Sequence, residues 1–243
     1  AGVLDISAPN SQVKVLAIHT NEARMIARET LRVLSSDHVT KLISSQEQRP
    51  IPVEVSAHHI HLSKEHVDAL FGKDYYLTPI ADLSQPGQFA CKETVNLIGP
   101  KGTVNRVRVL GPERKETQIE ISMTEQYILG VQPPIRESGD LDGTPGITIE
   151  GPVSSITVDK GVICALRHIH MSTEEALSYG LKDRDVVRVR IDGDRELIYG
   201  DVLIRVKPTY KLAMHIDTDE ANAAHIKTGM QGFIEGIQSK GLA

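Results

Sequence analysis

Two short stretches of this chain are near copies of each other. Val55–Ser63 reads VSAHHIHLS, and Ala165–Ser172 reads ALRHIHMS. Each ends in His-Ile-His, an aliphatic residue, and a serine that opens a helix-like segment. On an extended chain, residues i and i+2 project from one face. Each copy therefore presents two imidazoles to a single point, as a transition-metal site requires. Four of the ten histidines, His59, His61, His168 and His170, fall in these pairs. Any fold for this chain must accommodate the same extended, metal-type segment twice.

The copying continues past the histidines. Ser63-Lys-Glu-His-Val-Asp-Ala-Leu-Phe-Gly follows the first pair, and Ser172-Thr-Glu-Glu-Ala-Leu-Ser-Tyr-Gly follows the second. Ser172 and Glu175 have the spacing of a capping box. Downstream, Gln118-Ile-Glu120-Ile-Ser122-Met-Thr-Glu125 matches Ala213-Met-His215-Ile-Asp217-Thr-Asp-Glu220. Both place a Glu or His between apolar residues and then run into S/D-x-x-E, another helix start. Each half thus reads strand, His-x-His, helix, strands, one more metal-type side chain, helix. The two halves are roughly a hundred residues apart, far too long a period for a solenoid.

Strand signals dominate the rest. Val53–Val55, Val95–Ile98, Val104–Leu110, Thr117–Ile121, Ile147–Ile149, Ser155–Val158, Val162–Leu166, Val186–Ile191, Ile198–Val206 and Lys211–Ile216 all suit short strands. Gly-Pro and Pro-Gly dipeptides separate many of them. Few helices and many short strands favour barrels over a doubly wound sheet. The expected class is mainly β, with two related β-barrel units, short capping α-helices and an internal duplication.

Residues 1–50 differ in character. Asn21 can cap a helix from about Glu22 to Leu34, and the polar stretch Ser44–Arg49 leads on to Pro50 and Pro52. The segment reads as an appendage. Packing on the body or on a second subunit is the simpler role, and a docking peptide for a larger assembly is the sharper one.

Bulk properties narrow the function. The net charge is −5 and no basic stripe is present, so nucleic acid is not an expected partner. An anionic substrate stays open, because a local cationic pocket does not show in a net charge. No apolar run approaches the ~20 residues of a membrane span, and AGVLDISAPNSQ lacks the shape of a signal peptide. Cys91 and Cys164 form no CxxC pattern and read as reduced thiols of a cytosolic protein. Cys164 stands four residues before His168, so a metal role is conceivable, but a small buried side chain is the simpler reading.

The candidate constellation is His59, His61 and Glu120 from one half, and His168, His170 and His215 from the other. Neutral imidazole suits zinc, and catalytic zinc keeps three protein ligands and an open position. Six ligands supply two such ions. A lone histidine is more often an ordinary core or surface residue, but the same pattern occurring twice argues against that. For Glu120 and His215 taken singly, a half-buried polar residue on a strand face remains the competing interpretation. Arg114, in Gly-Pro-Glu-Arg-Lys, is suited to clamping phosphate or carboxylate, although a solvated turn residue fits its spacing as well. Arg167 should point away from the face of His168, as His58 should from that of His59. His66 and His225 read as solvated helix positions. Gly99-Pro-Lys-Gly102 is too short for a phosphate loop. No GxSxG motif or marked nucleophile is present.

Together, Val55–Ser63, Gly111-Pro-Glu-Arg114, Gln118–Ser122, Arg167–Ser172 and Met214–Asp217 resemble the PduL-type phosphate propanoyltransferases (phosphotransacylases). The resemblance runs from about Pro50 to about Phe233. It implies transfer of an acyl group between coenzyme A and phosphate, with propanoyl-CoA or acetyl-CoA as substrate and acyl phosphate as product. It implies two interlocked barrels, one from 51–57 with 166–236 and one from 58–165. It also implies two zinc ions on His59, His61, Glu120, His168, His170 and His215, and phosphate on Arg114. Members packaged in bacterial microcompartments carry an N-terminal helix and linker, so residues 20–45 become a candidate for docking to shell or cargo. A homo-oligomer and a bacterial cytoplasmic location complete the expectation. Two rivals stand beside it: a metal-dependent hydrolase on a (β/α)₈ barrel, which needs more helices than this chain offers, and a non-catalytic metal- or CoA-binding module.

Overall fold

A computed structural model describes residues 3–5, 16–18 and 49–238. The chain divides into two compact units, Ala1–Ser44 and Ser45–Ala243. In the first, strands β1 (Val3–Asp5) and β2 (Leu16–Ile18) form an antiparallel ladder, which the sequence did not suggest. The helix expected over 22–34, and the polar stretch as far as 48, lie outside the described residues.

The second unit is mainly β and repeats one plan. Its first half runs β3 (Ile51–Ser56), β4 (His59–Ser63), α1 (Lys64–Phe71), β5 (Pro79–Asp82), β6 (Phe89–Ile98), β7 (Thr103–Arg114), β8 (Gln118–Glu120) and α2 (Glu125–Leu129). Short strands β9 (Ile135–Arg136), β10 (Ile147–Glu150) and β11 (Ser155–Val158) lead to the second half. That half runs β12 (Val162–Ala165), β13 (His168–Met171), α3 (Thr173–Ser178), β14 (Val186–Ile191), β15 (Leu197–Val206), β16 (Ala213–Asp217), α4 (Thr218–Ala223) and β17 (Gln231–Ile237). Six strands close a barrel in the order β13-β15-β14-β17-β3-β16. The others form a curled nine-stranded sheet, β11-β10-β6-β7-β4-β8-β12-β9, with β5 on β6.

Strand pairing shows the duplication residue by residue. β4 lies parallel to β7 and antiparallel to β8, and β13 lies parallel to β15 and antiparallel to β16. His59 stands opposite Glu120, and His168 stands opposite His215. The two halves also exchange their leading strands. β3 runs parallel to β16 of the second half, while β12 runs parallel to β8 of the first. The chain therefore crosses from one sheet to the other at Ala57–His58 and again at Leu166–Arg167, immediately before each His-Ile-His.

Alternation explains why these strands sit so deep. Histidines occupy one face of β4 and β13. Ile60 and Leu62 on the other face of β4, and Ile169 and Met171 on that of β13, are fully buried in two separate apolar cores. Each such side chain contributes roughly 1.5–3 kcal/mol relative to exposure, which fixes the register and with it the direction of every histidine. Gly161 turns into β12 with φ +122°. A Cβ there would lie 2.7 Å from the Thr117 carbonyl oxygen, so only glycine lets β12 approach β8 this closely.

Helix starts follow the sequence signals. Ser172 with Glu175 and Asp217 with Glu220 form complete capping boxes, and Ser63 accepts from the His66 amide. Glu220 does two jobs: Oε2 accepts from the Asp217 amide at 3.0 Å, and Oε1 accepts from Arg167 at 3.0 Å. Glu220→Ala removes one arm of the capping box and leaves a half-buried guanidinium unpaired. A loss of about 2 kcal/mol in urea unfolding is expected; an unchanged midpoint would show that neither contact stabilises the fold.

Candidate metal centre

Strands β4 and β8 bring together His59, His61 and Glu120, and β13 and β16 bring together His168, His170 and His215. Within each triad the potential ligand atoms all lie within 4.8 Å of one another. All six side chains, with Arg114, line one cavity of about 650 Å³ where the two sheets meet. Arg114 ends β7 beside this cavity, half-buried, and not in a solvated turn.

Hydrogen bonds orient the rings alike in the two halves. His59 Nδ1 donates to the Ala57 carbonyl at 2.9 Å, and His168 Nδ1 donates to the Leu166 carbonyl at 2.8 Å. Both acceptors lie at the crossovers between sheets. A ring that donates through Nδ1 turns the Nε2 lone pair outward, which is how metal-binding histidines are usually held. Glu120 is positioned from the side: Gln118 Nε2 donates to Oε1 at 2.6 Å, and Oε2 lies 3.4 Å from His59 Nε2. Arg114 donates to His61 Nε2 at 2.8 Å and to Ser138 Oγ at 3.0 Å. Ser138 also accepts from Gln118 at 2.8 Å, so one network aligns Arg114 and Glu120. Ser138 lies outside every repeated stretch, and Gln118, though it opens one, is matched by Ala213 in the other copy, so the repeat did not mark either for this role.

Burial and charge decide the protonation states. Burial, then Arg114 and His59, push His61 down to about 3. Burial, then His168 and His215, push His170 down to about 2. His168 and His215 are both lowered to about 4, chiefly by burial. These four rings are neutral at physiological pH. Burial also opposes protonation of His59, but Glu120 outweighs it and holds its pKa above the ordinary imidazole value. Burial works against ionised Glu120 too, yet His59, His61 and Arg114 keep its carboxyl far below the usual range. Four neutral rings and one carboxylate are in the form that binds metal, while His59 holds its proton more tightly and a metal would have to displace it.

The donors fit a metal on a second ground. Among the described residues, His61 Nδ1, His170 Nδ1 and His215 Nε2 are buried with no hydrogen-bond partner. Leaving a buried polar atom unsatisfied costs roughly 1–3 kcal/mol, and three such atoms sit in these two triads. An electrophile among the rings would relieve that cost. Three nitrogen or oxygen donors per group, with no thiolate, could hold a transition-metal ion and leave a position open.

The remaining sequence candidates lie apart from the triads. His58 pairs with Glu125, and Arg167 pairs with the capping-box glutamate Glu220. His66 is half-buried, not solvated: its Nδ1 lies 2.7 Å from Thr117 Oγ1. His225 is exposed as expected. Cys164 is buried and donates to Asp217 at 3.5 Å, outside both triads. Sequence reading missed Arg205, which lines the cavity from β15. It lies outside every repeated motif, and its spacing to the His215 strand does not match that of Arg114 to the Glu120 strand, so the sequence carried no signal for it.

No helix among the described residues is long and apolar enough to cross a membrane. A sequence model of the phosphate propanoyltransferase family matches residues 52–227. The chain is 58% identical over 180 residues to a phosphate propanoyltransferase of Thermotoga maritima, covering 74% of this chain and 86% of that protein. It is 51% identical over 213 residues to that of Sebaldella termitidis, covering 88% and 97%. For the protein of that name from Leptotrichia buccalis, identity is 49% over 215 residues, covering 88% and 98%.

Proposed function

The chain belongs to the phosphate propanoyltransferase family, and on that premise we propose that it is a zinc-dependent phosphotransacylase. It would interconvert a short-chain acyl-CoA plus phosphate with acyl phosphate plus CoA, taking propanoyl-CoA and acetyl-CoA. The observation that carries this reading is the pair of three-donor groups with unsatisfied buried nitrogens facing one cavity beside Arg114.

His59, His61 and Glu120 would hold one zinc ion, and His168, His170 and His215 the other. Bound there, zinc supplies Lewis acidity toward a carbonyl and a soft partner for a thiolate. The residues provide the rest. A phosphate oxygen attacks the thioester carbon, the C–O bond forms, and the C–S bond breaks with the electron pair leaving on sulfur. Both reactants are anionic, so a cationic wall lowers their repulsion. Arg114 offers a planar fork of donors suited to phosphate oxygens. Its ties to Ser138 and His61 hold that fork at the edge of the first triad. Phosphate must also outcompete water at roughly 55 M, so fixing its position is the central task.

Direct transfer fits the available nucleophiles. Burial raises the Cys91 thiol to about 11. Burial and then Asp217 raise the Cys164 thiol further still. Neither thiol is ionised at neutral pH, so neither suits an acyl-enzyme. Ser138 is bonded to Arg114 and Gln118 and has no histidine as a base. Residues 20–45 are proposed as a docking segment for a microcompartment on their sequence layout alone.

The test is CoA thiol release from propanoyl-CoA and acetyl-CoA, with and without phosphate, before and after zinc chelation. Release that needs phosphate, disappears on chelation and returns with zinc is the expected result. Release without phosphate would mean a thioesterase. No release from zinc-loaded protein would leave a binding module.

A further inference from the structure

We propose that Arg205 is a second phosphate-holding arginine, working with Arg114 from the side of the His168–His170–His215 triad. The inference rests on the phosphotransacylase reading and extends it to a residue outside the repeated motifs.

Duplication supplies the first argument. In the first half, Arg114 comes from β7, the long strand lying parallel to the His-x-His strand β4, where it stands opposite Ser63. In the second half, β15 lies parallel to β13, and Arg205 stands opposite His170. Side chains at paired positions of neighbouring strands leave the same face of a sheet. Arg205 therefore emerges beside His170 and lines the same cavity. The first half contributes three metal-type ligands and two guanidiniums, Arg108 and Arg114, both from β7; the second contributes three ligands and Arg205, from the equivalent strand β15.

The second argument is an unmet charge. Five described arginines are half-buried: Arg108, Arg114, Arg167, Arg190 and Arg205. Arg108 donates to the Cys91 and Lys92 carbonyls, Arg167 pairs with Glu220, and Arg190 pairs with Asp192 and Glu235. Arg114 has Ser138 and His61. Arg205 alone among these five has no acceptor and no carboxylate. Arg114 and Arg205 line one cavity, and Arg205 has no partner among the described residues, so the two guanidiniums suit an anion that accepts from both.

The chemistry of that anion is narrow. It must offer oxygens in several directions and lie beside the reacting carbon. Inorganic phosphate and the phosphoryl group of acyl phosphate do so. The phosphates of CoA are separated from its thiol by the whole pantetheine arm, so a cation placed next to His170 meets the acceptor phosphate instead.

Zinc-loaded Arg205→Gln and Arg205→Lys test this. The readouts are metal content, phosphate KM, acyl-CoA KM, and binding of inorganic phosphate followed by calorimetry without acyl-CoA. Arg205→Gln is expected to keep its metal, to raise phosphate KM and weaken phosphate binding about tenfold or more, and to change acyl-CoA KM little. Arg205→Lys, which keeps charge but not the fork, should fall between. Unchanged phosphate binding in Arg205→Gln, a rise in acyl-CoA KM alone, or loss of metal would each overturn the assignment. Wild-type protein separates the two readings. If it needs phosphate for turnover while Arg205→Gln binds phosphate normally, only Arg205 fails. If it binds no phosphate, both fail.

Discussion

His170→Ala is expected to cut bound zinc from about two ions per chain to about one, and to lower turnover by roughly three orders of magnitude or more. The reasons are local. His170 Nδ1 is buried without a partner, and its ring is neutral well below physiological pH. The Tyr210 ring packs against it with centroids 4.1 Å apart, so the ring cannot swing away without losing that contact. Its neighbours Ile169 and Met171 point into the apolar core on the opposite face of β13 and are untouched by the change. The variant should therefore fold and fail chemically. Zinc stoichiometry by elemental analysis, read beside thiol release, checks both statements. His225→Ala on the exposed surface is the control and should alter neither. A fully active, zinc-replete His170→Ala would remove His170 from the ligand set.

What was legible in the sequence was whatever repeats locally. His-Ile-His declares its own geometry, because alternation sends the histidines to one face and the isoleucine to the other. S-x-x-E and D-x-x-E declare three helix starts: at Ser172 and Asp217 the structure shows complete capping boxes, whereas the helix after Ser122 begins at Thr124 without a side-chain cap. Long-range pairing is another matter. Nothing in Ile51–Ser56 itself says that it joins β16 and not its own half. That pairing came only from the likeness to a known family, and the exchange of β3 and β12 is a property of the assembled sheets. Strand β17 went unseen because Gly232 and Gly236 weaken its pattern, and β5 because Pro79 opens a wholly exposed strand. His66 read as solvated because Thr117, its partner, lies fifty-one positions away in sequence. Arg205 sits in an ordinary-looking strand. Only the parallel register with β13 places it next to a ligand histidine.

Arg114→Ala should raise the phosphate KM by about a hundredfold while leaving zinc bound, and Arg114→Lys should recover part of the loss. The alanine variant loses a guanidinium that is half-buried and already held in place by Ser138 and His61, so little ordering remains to be done when phosphate arrives. That preorganisation is why the effect should fall on phosphate saturation more than on acyl-CoA saturation. A lysine keeps the positive charge but presents one ammonium where the fork offered two parallel donors. The change also acts on His61. Arg114 is the second cause, after burial, of its lowered pKa, and removing that cation makes the ring easier to protonate. The sign follows directly: protons compete better for His61 in Arg114→Ala, so zinc in the first triad should be lost at a higher pH than in the wild type. Phosphate saturation curves at neutral pH, followed by zinc retention measured as pH is lowered, separate the two effects. A phosphate KM equal to that of the wild type would take Arg114 out of the site, and unchanged zinc retention would show that its charge does not reach His61.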